Sequence, residues 1–111
     1  MTDNPKLISL LGMCRRAGRL SCGHDAAIGS VRSKSAKLCL LSSDSSQRLR
    51  KEIEREAAFE GRDIPVRMLF STIEEIGKAT GLKSAVVTVN DEGFAKTMLG
   101  LLNTTTGEVN L

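Results

Sequence analysis

The sequence predicts an α/β domain in which helices cover both faces of a small sheet. Three observations carry that expectation. Segments with apolar residues at helical spacing alternate with short apolar or β-branched runs along the chain. A length of 111 residues suits a single hydrophobic core. A composition of 41% hydrophobic and 26% charged residues lies near the globular average, so the chain buries a core and is not disordered as a whole.

Asn4-Pro5 reads as an N-cap followed by proline at the first helical position, and Leu7, Leu10, Leu11 and Cys14 then recur at helical spacing. This first helix ends at Gly18, with Arg15 and Arg16 in a last turn that favours cations. Arg19 to Cys22 is a short extended piece. Gly23 opens a second helix that turns Ala27, Ile28 and Val31 inward and leaves Arg32 and Lys34 outside. Lys37 to Leu41 reads as a buried strand. The cluster Ser42 to Ser46 is turn and cap chemistry, and Leu49, Ile53 and Ala57 then give a third helix that Gly61 ends. Arg48 with Glu52 and Arg50 with Glu54 stand at i,i+4 in it, the spacing of stabilising surface pairs.

Ile64 to Leu69 reads as a strand with Pro65 at its start, where no ladder donor is lost. Ser71-Thr72-Ile73-Glu74 has the pattern of a capping box, so a short fourth helix runs to Thr80 and stops at Gly81. Ala85 to Val89 is the last strand. Asn90 or Asp91 caps a final helix with Phe94, Met98, Leu101 and Leu102 on one face. One domain over residues 1–103 is expected, followed by a polar tail, 104–111, expected to fray.

The same residues exclude function classes. No apolar run approaches the roughly 20 residues that span a bilayer, the longest clean one being Leu38 to Leu41. Met1 to Pro5 shows neither a basic n-region nor a cleavage site, so a cytoplasmic protein without a membrane partner is expected. Cys14, Cys22 and Cys39, at spacings of eight and seventeen, suit neither a disulfide framework nor a CxxC knuckle. With His24 they offer zinc-ligand types at spacings unlike known zinc sites, and no metal or cofactor is expected. Three Phe without Trp or Tyr leave out the commonest platforms for stacking on single-stranded bases.

The net charge of +3 hides an asymmetry. Residues 1–51 hold ten Lys/Arg against three Asp, a net +7, whereas residues 52–111 hold six against ten acids, a net −4. A basic half on a chain of pI near 9.0 is the electrostatic footprint of a polyanion binder. It is equally the composition of a solvated surface.

One histidine starves the usual nucleophile–base arrangements, no serine stands in a G-x-S-x-G elbow, and the glycines from Gly12 to Gly18 fit neither a Walker loop nor a dinucleotide fingerprint. An enzyme with a small-molecule substrate is therefore not expected. Gly23-His24-Asp25 is more informative, because glycine permits close backbone approach and the first amides of the following helix are free to meet phosphate. An ordinary helix start fits these three residues as well. A protein-interaction module, docking a basic partner on Glu52, Glu54, Glu56 and Glu60, is the competing class.

Leu10-Leu11-Gly12, Arg16-Ala17-Gly18-Arg19-Leu20, Cys22-Gly23-His24-Asp25, the run Ala36 to Ser46 and Ile76-Gly77-Lys78-Ala79-Thr80-Gly81-Leu82 together resemble the bacterial YlxQ-like branch of the kink-turn-binding ribosomal protein superfamily, the L-seven-Ae and L-thirty-e group. The match spans about residues 5 to 102 in order. The resemblance implies a three-layer α-β-α sandwich with a four-stranded mixed sheet, and RNA kink-turns bound at one end of it, in ribosome-related RNA among others. It puts two regions on the RNA: Gly23, His24 and Asp25 with Ala26 and Gly29 further along the helix, and the loop Leu82, Lys83 and Ser84, which packs against a protruding nucleotide. Asp25 stands where many members have Asn, Ala26 where many have Glu, and Gly29 where Lys is typical, the residue expected to reach guanine edges. Two outcomes stay open: RNA binding of relaxed specificity that leans on Arg15, Arg16, Arg32, Lys34, Lys37 and Lys83, or loss of kink-turn recognition.

Overall fold

Two strands with every residue buried form the middle of the sheet, Leu38–Leu41 (β2) and Val86–Val89 (β4). A strand buried along its whole length has both faces covered, and here helices do the covering. The computed structural model describes the backbone of residues 2–109 and the side chains through Leu102. The remaining elements are α1 (Pro5–Arg16), β1 (Leu20–Cys22), α2 (His24–Arg32), α3 (Gln47–Ala58), a 3-10 turn (Phe59–Gly61), β3 (Val66–Met68), α4 (Ile73–Thr80) and α5 (Glu92–Val109). The strand order is β1-β4-β2-β3, with β4 antiparallel to both β1 and β2, and β2 parallel to β3. The α/β class and the four-stranded mixed sheet are thus as expected.

Side-chain alternation along β2 divides the core in two. Leu38 and Leu40 join Leu7 and Leu11 of α1, Ile76 of α4 and Met98 of α5 on one face. Cys39 and Leu41 join Ala27, Ile28 and Val31 of α2 and Ile53 of α3 on the other. A period of two in the strands and 3.6 in the helices therefore yields three layers. Helices α1 and α4 run side by side in the same direction: Asp3 accepts from the Phe70 and Ser71 amides at one end, and at the other a Cβ on Gly12 would lie 2.9 Å from the Ala79 carbonyl oxygen.

Several local expectations are corrected. The capping box is Thr72 with Glu75, one residue later than Ser71 with Glu74. Ser71 is already engaged, its amide and hydroxyl on the Asp3 carboxylate and its carbonyl on the Ser43 amide. The i,i+4 pairs of α3 give way to contacts between elements. Glu52 meets His24 instead of Arg48, and Arg50 donates to the Ser45 hydroxyl and the Ser43 carbonyl instead of reaching Glu54. The strand read from Ile64 to Leu69 is the shorter β3. Of the two candidate caps for the last helix, Asp91 acts, accepting the Phe94 amide at 2.9 Å. The tail expected over 104–111 falls where side chains, and at 110–111 the backbone, lie outside the described residues.

Candidate functional site

Register brings distant segments to one end of the sheet. Cys22 pairs with Val87 and Leu41 with Val86, so β1 and β2 finish where β4 begins. From Cys22 the chain enters α2 through Gly23, whose φ of 94° and ψ of 166° lie where glycine alone rests without strain. The Gly23 amide donates to the Val86 carbonyl at 2.9 Å, and the Ser42 amide to the Ala85 carbonyl at 2.9 Å. Gly23 contributes no capping side chain, and the first intrahelical bond runs from the Ala27 amide to the Gly23 carbonyl. The amides of His24, Asp25 and Ala26 therefore precede the helical ladder at the positive end of the helix dipole.

The loop Leu82–Ser84 leads into β4 at this same end of the sheet, and the two glycines before it explain its shape. Gly81, at φ 88°, closes α4 in the left-handed conformation. A Cβ on Gly77 would stand 2.8 Å from Lys83 Cγ and 3.3 Å from Lys83 N and Cα, so the bare backbone at 77 lets the loop fold back on α4. The Thr80 hydroxyl accepts the Leu82 amide at 3.3 Å and lies 3.1 Å from the Leu82 carbonyl, to which the Ser84 hydroxyl also donates at 3.1 Å. Ser84 is buried, whereas Leu82 presents an apolar side chain 46% exposed. Lys83 Nζ pairs with Glu74 at 2.7 Å, both ends exposed and so weakly coupled.

The electrostatics at the α2 start are not simply positive. His24 stands between two carboxylates, Nδ1 3.0 Å from Asp25 and Nε2 3.0 Å from both oxygens of Glu52. Hydrogen bonds to Asp25 and then to Glu52 hold its pKa above the usual value. Arg15 reaches this end, its Nη1 donating to Cys22 Sγ at 3.5 Å. Arg16 is exposed in the same last turn of α1. Ala26 and Gly29 lie on the exposed side of α2, and a Cβ on Gly29 would meet nothing within 4 Å.

The other cations are elsewhere. Arg32 closes α2 and forms a two-pronged pair with Glu56 at 2.9 and 3.2 Å. Lys34 and Lys37 lie beyond it, and the Lys37 amide donates to Val89, the last residue of β4. Nine residues of helix, roughly 13 Å, separate this group from Gly23, so the structure does not bring Arg32, Lys34 and Lys37 to the end that holds Leu82–Ser84. Glu52 and Glu56, read as a docking face for a basic partner, are turned onto α2.

Sequence reasoning missed the His24–Glu52 contact, which joins residues 28 apart, as it missed the cradle under Lys83. Periodicity reports which way a residue faces and not which neighbour it meets. Cys14 and Cys39 are buried, and desolvation first of all pushes each thiol up to about 11, far from reactive. Among the described residues no group of three or more His, Cys, Asp or Glu is gathered to hold a metal ion, and no helix is long and apolar enough to cross a membrane.

Residues 6–99 match the sequence profile of the ribosomal protein L7Ae/L30e/S12e/Gadd45 family. The chain is 31% identical over 94 residues to the RNA-binding protein YlxQ of Enterococcus faecium, an alignment covering 85% of this chain and 88% of the relative. It is 32% identical over 95 residues to the RNA-binding protein YlxQ of Bacillus subtilis strain 168, covering 85% and 92%. A solved structure of a Bacillus halodurans protein of unknown function is similar with a TM-score of 0.82 at 28% identity, over 90% of this chain and 99% of that one. The Giardia lamblia 15.5 kD RNA-binding protein shares the fold, with a TM-score of 0.69 at 13% identity over 96% and 92% of the two chains.

Proposed function

Since the chain belongs to the ribosomal protein L7Ae/L30e/S12e/Gadd45 family, we propose that it is a non-enzymatic, cytoplasmic RNA-binding protein. It recognises a kink-turn or similarly bulged helix through Gly23, His24 and Asp25 and through the loop Leu82–Ser84. The observation that supports this reading is that both segments stand at one end of the sheet, where the Gly23 amide donates to Val86, two residues after the loop. Unladdered amides suit phosphate oxygens and base edges, and exposed Leu82, held on a tied loop, suits the face of a splayed nucleotide. Arg15 and Arg16 at the adjoining helix end supply cations for backbone phosphates. Gly29 offers no side chain where the resemblance implies a guanine-reading lysine, and the reading proposed is binding of relaxed specificity.

The test is a titration of the protein against a kink-turn RNA and a matched unkinked duplex at two salt concentrations. A preference for the kink-turn that survives the higher salt is expected. Equal, salt-sensitive binding to both would reduce the interface to generic charge, and no binding to either would favour a protein-interaction module on the same fold.

A further inference from the structure

At the far end of the sheet from Gly23, the turn from α2 into β2 and the turn from α3 into β3 border a half-open cavity of about 330 Å³ with Lys34, Lys37 and Arg62 in its wall. Arg62 is a fixed donor. Its side chain is 12% exposed, its guanidinium carbon lies 5.4 Å from the Phe59 ring centroid, and Nη1 donates to the Glu56 carbonyl at 2.9 Å. Among the described residues Nε and Nη2 have no partner, so part of its planar donor fork remains available. Nη1 also pairs with the Glu56 carboxylate at 3.3 Å, whereas Lys34 and Lys37 form no ion pair among the described residues.

The backbone around this cavity is strained in a particular way. The described non-glycine residues with left-handed φ are Lys34 at 66°, Glu60 at 52° and Asp63 at 51°, and all three line it. Glycine relaxes such positions, yet here each is a charged residue on the border of one cavity, and strain of this kind gathers at binding sites. Ala36, Ile64 and Pro65 supply an apolar floor.

We propose that this cavity binds a small phosphate monoester of a sugar, independently of the RNA-facing end. Arg62, Lys34 and Lys37 hold the phosphate, for which a guanidinium fork and ammonium groups are the common partners. Glu60 and Asp63 accept from sugar hydroxyls, and the apolar floor packs against the ring. With the Glu56 carboxylate on Arg62 counted beside Glu60 and Asp63, three cations meet three carboxylates and leave no surplus charge, so the site favours a ligand with hydroxyl donors over a bare anion.

The experiment follows the amide resonances of the whole ¹⁵N-labelled chain during titration with ribose 5-phosphate, AMP, adenosine or inorganic phosphate. Saturable shifts at residues 34–37 and 60–64 with both monoesters, half complete at about 1 mM or below, support the site, provided that adenosine gives none and inorganic phosphate is weaker. The double variant Lys34→Ala, Lys37→Ala, altered only at exposed positions, then weakens binding about tenfold while the rest of the spectrum is unchanged. Absence of saturable shifts, equal shifts with inorganic phosphate, or shifts at residues 23–26 instead would overturn the proposal. Displacement of ribose 5-phosphate by kink-turn RNA would overturn it too, by assigning the cavity to the RNA.

Discussion

Two residues beside the α2 amides make opposite contributions. Gly29 leaves open space on an exposed helix face. Gly29→Lys is expected to stabilise the fold by about 0.5–1 kcal/mol through helix propensity and to tighten binding to a kink-turn more than to plain duplex. Urea unfolding and paired RNA titrations check the two halves, and equal gains for both RNAs would show that only charge was added. His24 works through its neighbours. Hydrogen bonds to Asp25 and Glu52 raise its folded pKa above the ordinary 6.5, so its contribution to stability is complete below about pH 6.5 and is lost as pH rises through the folded value. Unfolding midpoints measured at pH 6 and pH 8.5 are expected to fall more with rising pH in the wild type than in His24→Gln; parallel curves would exclude the coupling.

At the scale of elements, the loop Leu82–Ser84 depends on the absence of one carbon atom in α4. Gly77→Ala sets a methyl group against Lys83 backbone atoms at 3.3 Å, a form of overpacking that costs about 1–3 kcal/mol. A lower melting temperature together with weakened kink-turn binding is expected, and an unchanged RNA affinity would separate the loop from recognition. Most of the elements were legible in the sequence, because Leu7, Leu11 and Cys14, or Ile53 and Ala57, mark inward helical faces by spacing alone. The start of the second helix at Gly23 was legible from its glycine. Cap positions slipped by a residue where a distant group intervened, as Asp3 does at Ser71. The partners of Glu52 and Glu56 were not legible, since they depend on how α2 and α3 cross, and the cavity flanked by Lys34 and Arg62 joins turns that nothing local connects.

For the whole molecule, the charge asymmetry takes on a direction. The cations of the first half do not form one surface: Arg15 and Arg16 stand near the α2 start, whereas Lys34 and Lys37 lie past the other end of that helix. Arg15→Ala with Arg16→Ala is expected to make the dependence of log affinity on log salt shallower by about one to two units, as loss of one or two phosphate contacts should. The corresponding Lys34 and Lys37 variant is expected to leave the slope unchanged, and the reverse result would move the RNA to the far end. Gly23 and Val86, joined by a hydrogen bond at the end proposed to face RNA, belong to chain segments separated by more than half the sequence. During synthesis α2 emerges long before the strand that completes its setting, and contacts so distant form late because their loop must close first. Until β4 has been made, Gly23 lacks the carbonyl that its amide meets, so a half-made chain holds no complete version of the proposed site to compete with the finished protein.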